Sequence, residues 1–373
     1  MKALVIAPRF PWPPHTGERL RATIWLSALS RTAEVTLVAP RGHAPADVRF
    51  VPAERSLADA LLGAMAIVLD RLPFQCMLSA PYDWRAAIAR ARSEHGPFDV
   101  TIVLLSRMHP WVRESLDGRA ILDAVDSLRR NAEERWKAAP FATRWLWRME
   151  QRRLARLEAE ASRIYERVVV VSEDETIDFG HAVAITNGIA THSLNGVART
   201  FDFGFWGRLP YFANADAVRW ILNEIWPAIR ARRPHATLVI GGAEASAAMR
   251  EAARREGVTV VSPIDDVPSF ARTIRVALMP LRYGSGQSNK ILEAAEAGCG
   301  IVGTPQAMRG LGSLVPFTRI ESEAEAFARA AVELLADDAR RAMLASQLRT
   351  VVETNYARSV TLERLSRLAE VPA

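Results

Sequence analysis

The sequence predicts an α/β protein made of two doubly wound domains. Its 373 residues exceed the ~250 at which a single hydrophobic core stops growing. Short apolar runs alternate with longer segments of helical period, a pattern typical of parallel sheets covered by helices. The helical period is lost after the turn signal Asn187-Gly188, and the alternation then starts again. We therefore predict two domains, residues 1–197 and 198–373.

Each domain is expected to contain a parallel sheet. In the first domain we predict a helix at 19–30 and strands at 3–7, 34–39, 100–105, 120–122 and 167–171. In the second domain we predict strands at 203–206, 236–240, 258–261, 276–280 and 300–303. The chain is mostly helical in period after residue 324, and the last helix has the option of packing back on the first domain.

Composition excludes several classes of protein. The two cysteines, Cys76 and Cys299, lie far apart and form no CxxC pair, which argues against a disulfide framework and fits a reducing cytoplasm. The apolar run at the N-terminus is too short for a signal peptide, and the stretch 57–69 is shorter than the ~20 residues that span a bilayer. We therefore expect a cytoplasmic protein.

The chain is basic, with a formal net charge of +6 and a pI near 9.8. This charge attracts anions in general, namely nucleic acid, anionic lipid or phosphorylated substrates, and composition does not choose among them. Only three of the 48 basic residues are lysine, at Lys2, Lys137 and Lys290. Because the chain otherwise uses arginine, each remaining lysine is a candidate for a specific role.

The stretch from Leu128 to Arg167 is helical in period and rich in arginine and tryptophan. One interpretation is a solvated helix whose tryptophans pack on the domain. The other is an interfacial face, since arginine and tryptophan together suit an anionic membrane surface. The second interpretation predicts peripheral attachment at the inner face of the cell membrane.

The segment 280–293 is the most informative for function. A predicted strand ends at Pro280, glycines follow at Gly284 and Gly286, and a helix is predicted to begin near Ser288. Free N–H groups and the positive end of a helix then meet in one crevice, which suits an anion. Lys290 adds a cation beside this loop.

This loop and its surroundings resemble the GT4 group of retaining GT-B glycosyltransferases. Two of the shared motifs are Gly207-Arg208-Leu209 and Lys290-Ile291-Leu292-Glu293-Ala294. The segments that carry the resemblance are 11–21, 170–173, 185–189, 207–209, 214–220, 238–242, 280–294, 297–302 and 310–311. The resemblance implies two Rossmann-like domains facing a central cleft. It is closest to bacterial members used in polysaccharide or glycolipid assembly.

The resemblance also implies a donor site in the second domain. Arg208 and Lys290 would neutralise the donor diphosphate, Glu293 would bind the ribose hydroxyls, and Gly284, Ser285 and Gly286 would form the loop around the phosphates. Cations and loop N–H groups are the means by which a site stabilises a diphosphate leaving group.

The sequence departs from the family pattern at two positions. Ser285 stands where members often carry a glutamate, and Ala213 stands where many carry a lysine. We interpret both as variation within the family.

Three candidates lie in the first domain. Gly17 would let a loop approach the donor or the acceptor, although a plain turn glycine explains it nearly as well. His109 and Asp126 follow predicted strands, where parallel sheets place functional groups. We name both, with Lys290, as candidate catalytic residues, and a structural role as a cap or hydrogen-bonded partner remains the alternative for the histidine and the aspartate.

These features predict transfer of a sugar from a nucleotide-sugar donor, UDP- or GDP-linked, to a glycan or lipid-linked acceptor. We expect no cofactor and no metal site, because the sequence has no Asp-x-Asp, His-x-x-x-His or cysteine cluster. Alternatives are a sugar-nucleotide epimerase of the same architecture and a degenerate transferase that serves as a scaffold. DNA binding rests on charge alone, and we expect no nucleic-acid partner.

Overall fold

The computed structural model describes residues 1–14, 16–116, 118–193, 198–284 and 287–370. The chain divides into two compact units. The first is Met1–Asn187 together with the segment from Ser359 onward, and the second is Gly188–Arg358. The predicted boundary at residue 197 lies outside the described residues.

The first unit is built on a parallel sheet of seven strands. They are β1 (Lys2–Ile6), β2 (Glu34–Pro40), β3 (Arg49–Ala53), β4 (Val100–Leu104), β5 (Arg119–Val125), β6 (Arg167–Val170) and β7 (Ala182–Ala184). Their order in the sheet is β3-β2-β1-β4-β5-β6-β7. The sequence did not predict β3 or β7. Both are edge strands, and β3 carries Pro52, which an edge position tolerates because no ladder hydrogen bond is lost there.

Helices cover this sheet on both faces. They are α1 (Gly17–Leu29), α2 (Leu57–Val68), α3 (Trp84–His95), α4 (His109–Val112), α5 (Leu128–Ala138) and α6 (Phe141–Ile164). Short 3₁₀ helices lie at Phe74–Leu78, Ser106–Met108, Arg113–Ser115 and Glu173–Asp178. The single helical stretch predicted from Leu128 to Arg167 is therefore divided into α5 and α6. Pro140 precedes α6, and proline interrupts a continuous helix because it lacks an N–H group.

The second unit repeats the design with a parallel sheet of six strands. They are β8 (Phe201–Trp206), β9 (Leu238–Gly241), β10 (Val258–Val261), β11 (Ile274–Met279), β12 (Gly300–Gly303) and β13 (Arg319–Ile320). Their order is β10-β9-β8-β11-β12-β13. All of the predicted strands of this half are present, and β13, which has only two residues, is the addition.

Helices also cover the second sheet. They are α7 (Phe212–Trp220), α8 (Trp226–Arg232), α9 (Ala247–Ala252), α10 (Val267–Arg272), α11 (Asn289–Glu296), α12 (Ala324–Ala336) and α13 (Asp338–Asn355). A π-helical turn, Ile221–Ile225, joins α7 to α8, and a 3₁₀ helix spans Gly312–Phe317. The last helix, α14 (Arg358–Ala369), lies in the first unit from Ser359 onward, and its Leu365 and Ala369 are buried in the same apolar cluster as Trp25.

The two sheets confirm the predicted doubly wound α/β fold. In each sheet the strand order reverses once, between β1 and β4 in the first unit and between β8 and β11 in the second. The crevice at the carboxyl ends of the strands beside such a reversal is where open α/β sheets bind ligands. The loops after β1, β4, β8 and β11 therefore border the crevices where a ligand is expected.

A buried ion pair fixes α1 to the sheet of the first unit. Arg21 Nε lies 2.6 Å from Oδ2 of Asp123, and neither side chain is exposed. The indole N–H of Trp25 donates to the same carboxylate, and Arg21 also donates to the carbonyl of Thr186 at 3.0 Å. Because each partner is removed from water, the loss of either would leave a buried charge without compensation.

We predict that Arg21→Met lowers the free energy of unfolding by about 3–5 kcal/mol, because Asp123 would stay buried without its cation. Arg49→Met is the matched control: Arg49 pairs with Glu34 at 2.8 Å on the surface, and loss of such a pair costs about 1 kcal/mol or less. Urea unfolding followed by circular dichroism measures both. Equal losses in the two variants would contradict this account of the buried pair.

Candidate functional site

The loops after β8 and β9 meet at two glycines. Gly207 has a φ of +149° and Gly242 a φ of +152°, a region of backbone space that favours glycine. A Cβ atom on Gly242 would lie 1.8 Å from the carbonyl oxygen of Gly207. No side chain fits at that position, so the two loops approach as bare backbone at the carboxyl edge of the sheet.

Lys290 lies over Gly207. It is the second residue of α11, and a Cβ atom on Gly207 would lie 2.5 Å from its Cε and 3.2 Å from its Nζ. The side chain is partly buried, and this burial lowers the pKa of the ammonium, while the nearby Glu293 carboxyl acts in the opposite direction. Within the described part of the chain, Lys290 makes no hydrogen bond and no ion pair. The site therefore contains a desolvated lysine without a hydrogen-bonded or ion-paired partner among the described residues.

Glu293 lies one turn further along α11. Its carboxylate accepts a hydrogen bond of 2.6 Å from the indole N–H of Trp206, the last residue of β8. Burial raises the pKa of Glu293, and the Trp206 hydrogen bond and the charge of Lys290 oppose this rise. Sequence reasoning missed Trp206, although its place at a strand end, directly before Gly207, was a usable signal.

The loop after β11 leaves polar atoms without partners. Gly284 has a φ of +132°, and a Cβ atom there would meet nothing within 4 Å. Gln306 donates to the Gly284 carbonyl at 2.5 Å. Buried Oε1 of Gln287 and Oγ of Ser288 have no hydrogen-bond partner among the described residues. Buried polar atoms are normally paired, so these atoms point to a polar ligand. Ser285 and Gly286, predicted for this loop, lie outside the described residues.

Two arginines near this edge already carry carboxylate partners. Arg208 is exposed and donates to both oxygens of Glu244, at 3.0 and 3.2 Å. Arg282 donates to both oxygens of Asp216, at 2.9 and 2.8 Å, and its guanidinium lies 4.9 Å from the ring centroid of Trp220. An anionic ligand would have to replace Glu244 to engage Arg208 fully. Lys290 needs no such exchange.

In the first unit, Gly17 begins α1 directly after the loop that follows β1. The residue is exposed, and a Cβ atom on it would meet nothing within 4 Å. The next residue, Glu18, pairs with Arg9 at 2.6 Å and also with Arg107, which follows β4. Gly17 therefore lies at the point where the strand order reverses, with open space beside it.

His109 begins α4 and is completely buried. Its Nε2 lies 3.7 Å from Glu160, its ring centroid lies 5.6 Å from that of Tyr165, and neither ring nitrogen has a hydrogen-bond partner among the described residues. Burial lowers the pKa of His109, and the Glu160 carboxylate opposes this effect. The imidazole is therefore packed away from solvent in a neutral form.

Asp126 follows β5 at a distorted strand end. Val125 has a φ of +65°, which is unusual for a β-branched residue, and the pairing of β5 with β6 shifts between Asp123 and Val125. Burial, and then the charges of Glu175 and Asp123, raise the pKa of Asp126 to about 8. A carboxyl group with this pKa is largely protonated at neutral pH and can donate a hydrogen bond.

Two further carboxyl groups surround this strand end, and the sequence did not single them out. Glu158 accepts hydrogen bonds from the hydroxyl of Ser127 at 2.9 Å and from the N–H of Leu128 at 2.7 Å, and burial raises its pKa to about 7. Glu175 accepts from the N–H of Ser127 at 3.2 Å. These carboxylates cap the N-terminus of α5.

The predicted residues that the structure describes lie in both units. Lys290, Glu293, Gly284 and Arg208 lie at the carboxyl edge of the second sheet. Gly17, His109 and Asp126 lie beyond three different strands of the first. Among the described residues, no group of His, Cys, Asp or Glu is arranged to hold a metal ion, and no helix is both long enough and apolar enough to span a bilayer.

Comparison with known families identifies one match. Residues 200–337 match the family model described as Glycosyl transferases group 1. This segment contains Trp206, Gly207, Lys290 and Glu293. No match to a curated protein was found by sequence.

Solved structures match the whole chain at low sequence identity. A sucrose-phosphate synthase from Thermosynechococcus elongatus is 12% identical, with a TM-score of 0.69 over 99% of this chain and 98% of that one. Anabaena HepE in complex with UDP and glucose is 13% identical, with a TM-score of 0.64 over 99% of both chains. WaaG, a glycosyltransferase involved in lipopolysaccharide biosynthesis, is 14% identical, with a TM-score of 0.65 over 100% of both. These likenesses identify the fold as GT-B.

Proposed function

We propose that this chain is a glycosyltransferase that moves a hexosyl group from a nucleotide-sugar donor to a hydroxyl of a glycan or lipid-linked acceptor. The observation that carries the proposal is Lys290, a desolvated lysine that has no bonded partner among the described residues and lies over Gly207 at the carboxyl edge of the second sheet. The family match over residues 200–337 includes this site and supports the same chemistry.

The donor is proposed to carry UDP. In support, HepE and a trehalose-6-phosphate protein from E. coli have structures with UDP and with UDP-2-fluoro glucose respectively. In this chain the diphosphate would contact Lys290 and the loop at Gly284, with Arg208 joining after it leaves Glu244. Glu293 would accept hydrogen bonds from the ribose hydroxyls. GDP remains the alternative nucleotide.

The reaction is proposed to retain the anomeric configuration without a metal ion, as in the GT4 group. The bond between the anomeric carbon and the diphosphate oxygen breaks while the acceptor oxygen bonds to that carbon from the same face. The departing phosphate oxygen takes the acceptor proton. Lys290 and the loop N–H groups stabilise the charge that develops on the leaving group, and preorganised donors of this kind stabilise a transition state more than a ground state.

The first unit is proposed to hold the acceptor side of the reaction. Asp126, protonated near neutral pH, would donate a hydrogen bond to a sugar or acceptor hydroxyl. Gly17 would leave space for the substrate beside α1. For His109, whose ring is buried, we propose a positioning role through the segment that follows β4.

The acceptor is proposed to be an intermediate of polysaccharide or glycolipid assembly at a membrane surface. In support, the arginine-rich helix α6 exposes aromatic residues, with Phe141 92% and Trp145 64% exposed. Exposed aromatic and basic residues together are typical of proteins that attach to anionic bilayers.

We predict that Lys290→Met lowers turnover by ~10² or more while the melting temperature without ligand stays unchanged or rises slightly. The loss of turnover follows from removal of a group that stabilises a developing anion. The melting temperature is not lowered because folding of the variant no longer removes a lysine amino group from water. Release of UDP from UDP-glucose in the presence of an acceptor measures turnover.

Lys2→Met is the matched control for this variant, because Lys2 lies at the start of β1 in the first unit, at the end of the strand opposite to the candidate loops, and its Nζ lies 3.4 Å from the Gly96 carbonyl. It should keep full turnover. Full turnover of Lys290→Met, with an unchanged KM for the donor, would contradict the placement of the diphosphate at this loop.

We predict that Asp126→Asn becomes more stable relative to the wild type as pH rises. The folded pKa of about 8 lies above the ordinary aspartate value of 3.8, so between those two pH values the carboxyl is protonated in the folded state but ionised in the unfolded state, and the wild type loses stability as pH rises. Asparagine does not ionise. The difference in melting temperature should therefore be larger at about pH 9 than at about pH 5. The exposed Asp265→Asn is the control, and a difference for Asp126→Asn that does not vary with pH would contradict the raised pKa.

We also predict that the chain floats with vesicles of phosphatidylcholine and phosphatidylglycerol in equal parts and is released as salt is added. Electrostatic attraction to an anionic surface is screened within a Debye length of about 10 Å at 0.1 M salt. Equal flotation with pure phosphatidylcholine would contradict attachment through charge.

A further inference from the structure

Helix α2 exposes an unusually apolar surface. After Asp59 it contains no charged residue, and Gly63 is its only buried residue. Its large apolar side chains are strongly exposed: Leu57 86%, Leu61 68%, Leu62 60%, Met65 59%, Val68 83%, and next to the helix Leu69 57%. Single exposed apolar residues are common, but a contiguous set on one element marks a surface that binds an apolar partner.

An arginine pocket lies at the C-terminal end of α2. It has a volume of about 300 Å³, and its lining includes Arg71, Arg113, Arg153, Arg156 and Glu160. Arg71 follows α2 by three residues, so the pocket adjoins the exposed apolar surface of the helix.

The pocket carries excess positive charge. Arg153 and Arg156 share Asp70, at 2.5 and 3.2 Å, and Arg113 pairs with Glu160. Hydrogen bonds from Arg153 and Arg156 hold the pKa of Asp70 below its usual value, so the carboxylate is ionised at neutral pH. Four guanidinium groups against two carboxylates leave a net charge of about +2, and within the described residues the Arg71 side chain has no ionic partner.

We propose that the arginine pocket binds the phosphate headgroup of an anionic lipid while the apolar surface of α2 rests at the boundary between headgroups and acyl chains. Arginine guanidinium groups bind phosphate oxygens through paired N–H donors, and a pocket lined by four of them suits such a group. The inference depends on the proposed function only in placing the acceptor at a membrane.

The dimensions of α2 favour this arrangement over a spanning one. A helix of 12 residues is about 18 Å long, which is shorter than the ~30 Å hydrocarbon core. An interfacial helix instead lies in the plane of the membrane with its apolar side chains buried by about 5–10 Å. Arg55 before α2 and Arg71 after it would then lie at the level of the phosphates.

The test compares three double variants with the wild type by flotation on vesicles of phosphatidylcholine and phosphatidylglycerol in equal parts. Leu61→Gln with Val68→Gln removes apolar surface from α2. Arg71→Gln with Arg156→Gln removes charge from the pocket. Arg329→Gln with Met343→Gln, exposed positions of the second unit, is the matched control.

We expect the arginine variant to lower vesicle partitioning by about five-fold for each arginine removed. The apolar variant should lower it by about tenfold or more, since two side chains no longer leave water. The control should float like the wild type. If either test variant floats to the same extent as the wild type, the proposal is overturned.

Two further measurements separate this proposal from its rivals. The first is sedimentation velocity without lipid. If the wild type is a dimer and Leu61→Gln with Val68→Gln is a monomer, α2 binds a second copy of the chain, and the lipid proposal is overturned. The second is the melting temperature with inorganic phosphate. If phosphate raises the melting temperature of the wild type but not that of Arg71→Gln with Arg156→Gln, and the wild type does not float, the pocket binds free phosphate. That result would also overturn the lipid proposal.

The melting temperature with and without UDP separates a failure of the lipid proposal from a failure of the transferase proposal. Every variant that folds should keep the same rise on addition of UDP, which shows that lost flotation is not lost folding. If the wild type floats but shows no rise with UDP, the transferase proposal fails and the lipid site stands. If it shows the rise but does not float, the lipid site fails alone.

Discussion

The close approach of the Gly207 and Gly242 backbones is the constraint on which the candidate site depends. A single Cβ atom on Gly242 would collide with the Gly207 carbonyl. Because neither loop carries a side chain at this point, Lys290 can cross from the start of α11 and lie over Gly207. The same arrangement brings Trp206, at the end of β8, within hydrogen-bond distance of Glu293. Two glycines thus allow a lysine and a carboxyl group to lie side by side at the carboxyl edge of the sheet.

The distribution of counter-ions distinguishes Lys290 from the arginines around it. Arg208 and Arg282 are each held by both oxygens of a carboxylate, and their charge is already compensated. Lys290 lies in the first turn of a helix, where the positive end of the helix dipole disfavours a cation. Its burial adds a desolvation cost. A bound anion would relieve both effects, so this residue, rather than the more exposed arginines, is the candidate contact for an anion.

Much of the fold followed from local pattern, and most of what was missed depends on tertiary pairing. The strands of both central sheets are apolar runs that the sequence displays directly, whereas β3, β7 and β13 are short edge strands with weak patterns. The break between α5 and α6 was readable at Pro140. The pairing of Arg21 with Asp123 joins residues 102 positions apart, and that of Trp206 with Glu293 joins residues 87 apart. The spacing along a sequence carries no signal for such contacts.

A crystal structure of the chain with UDP tests the central claim most directly. The account predicts that a diphosphate oxygen lies within hydrogen-bond distance of Lys290 Nζ, above Gly207, and that the ribose hydroxyls meet the Glu293 carboxyl group. Nζ would then have the anionic partner that the described protein atoms do not supply. UDP bound elsewhere, with Lys290 still unpaired, would contradict the assignment of this edge as the donor site.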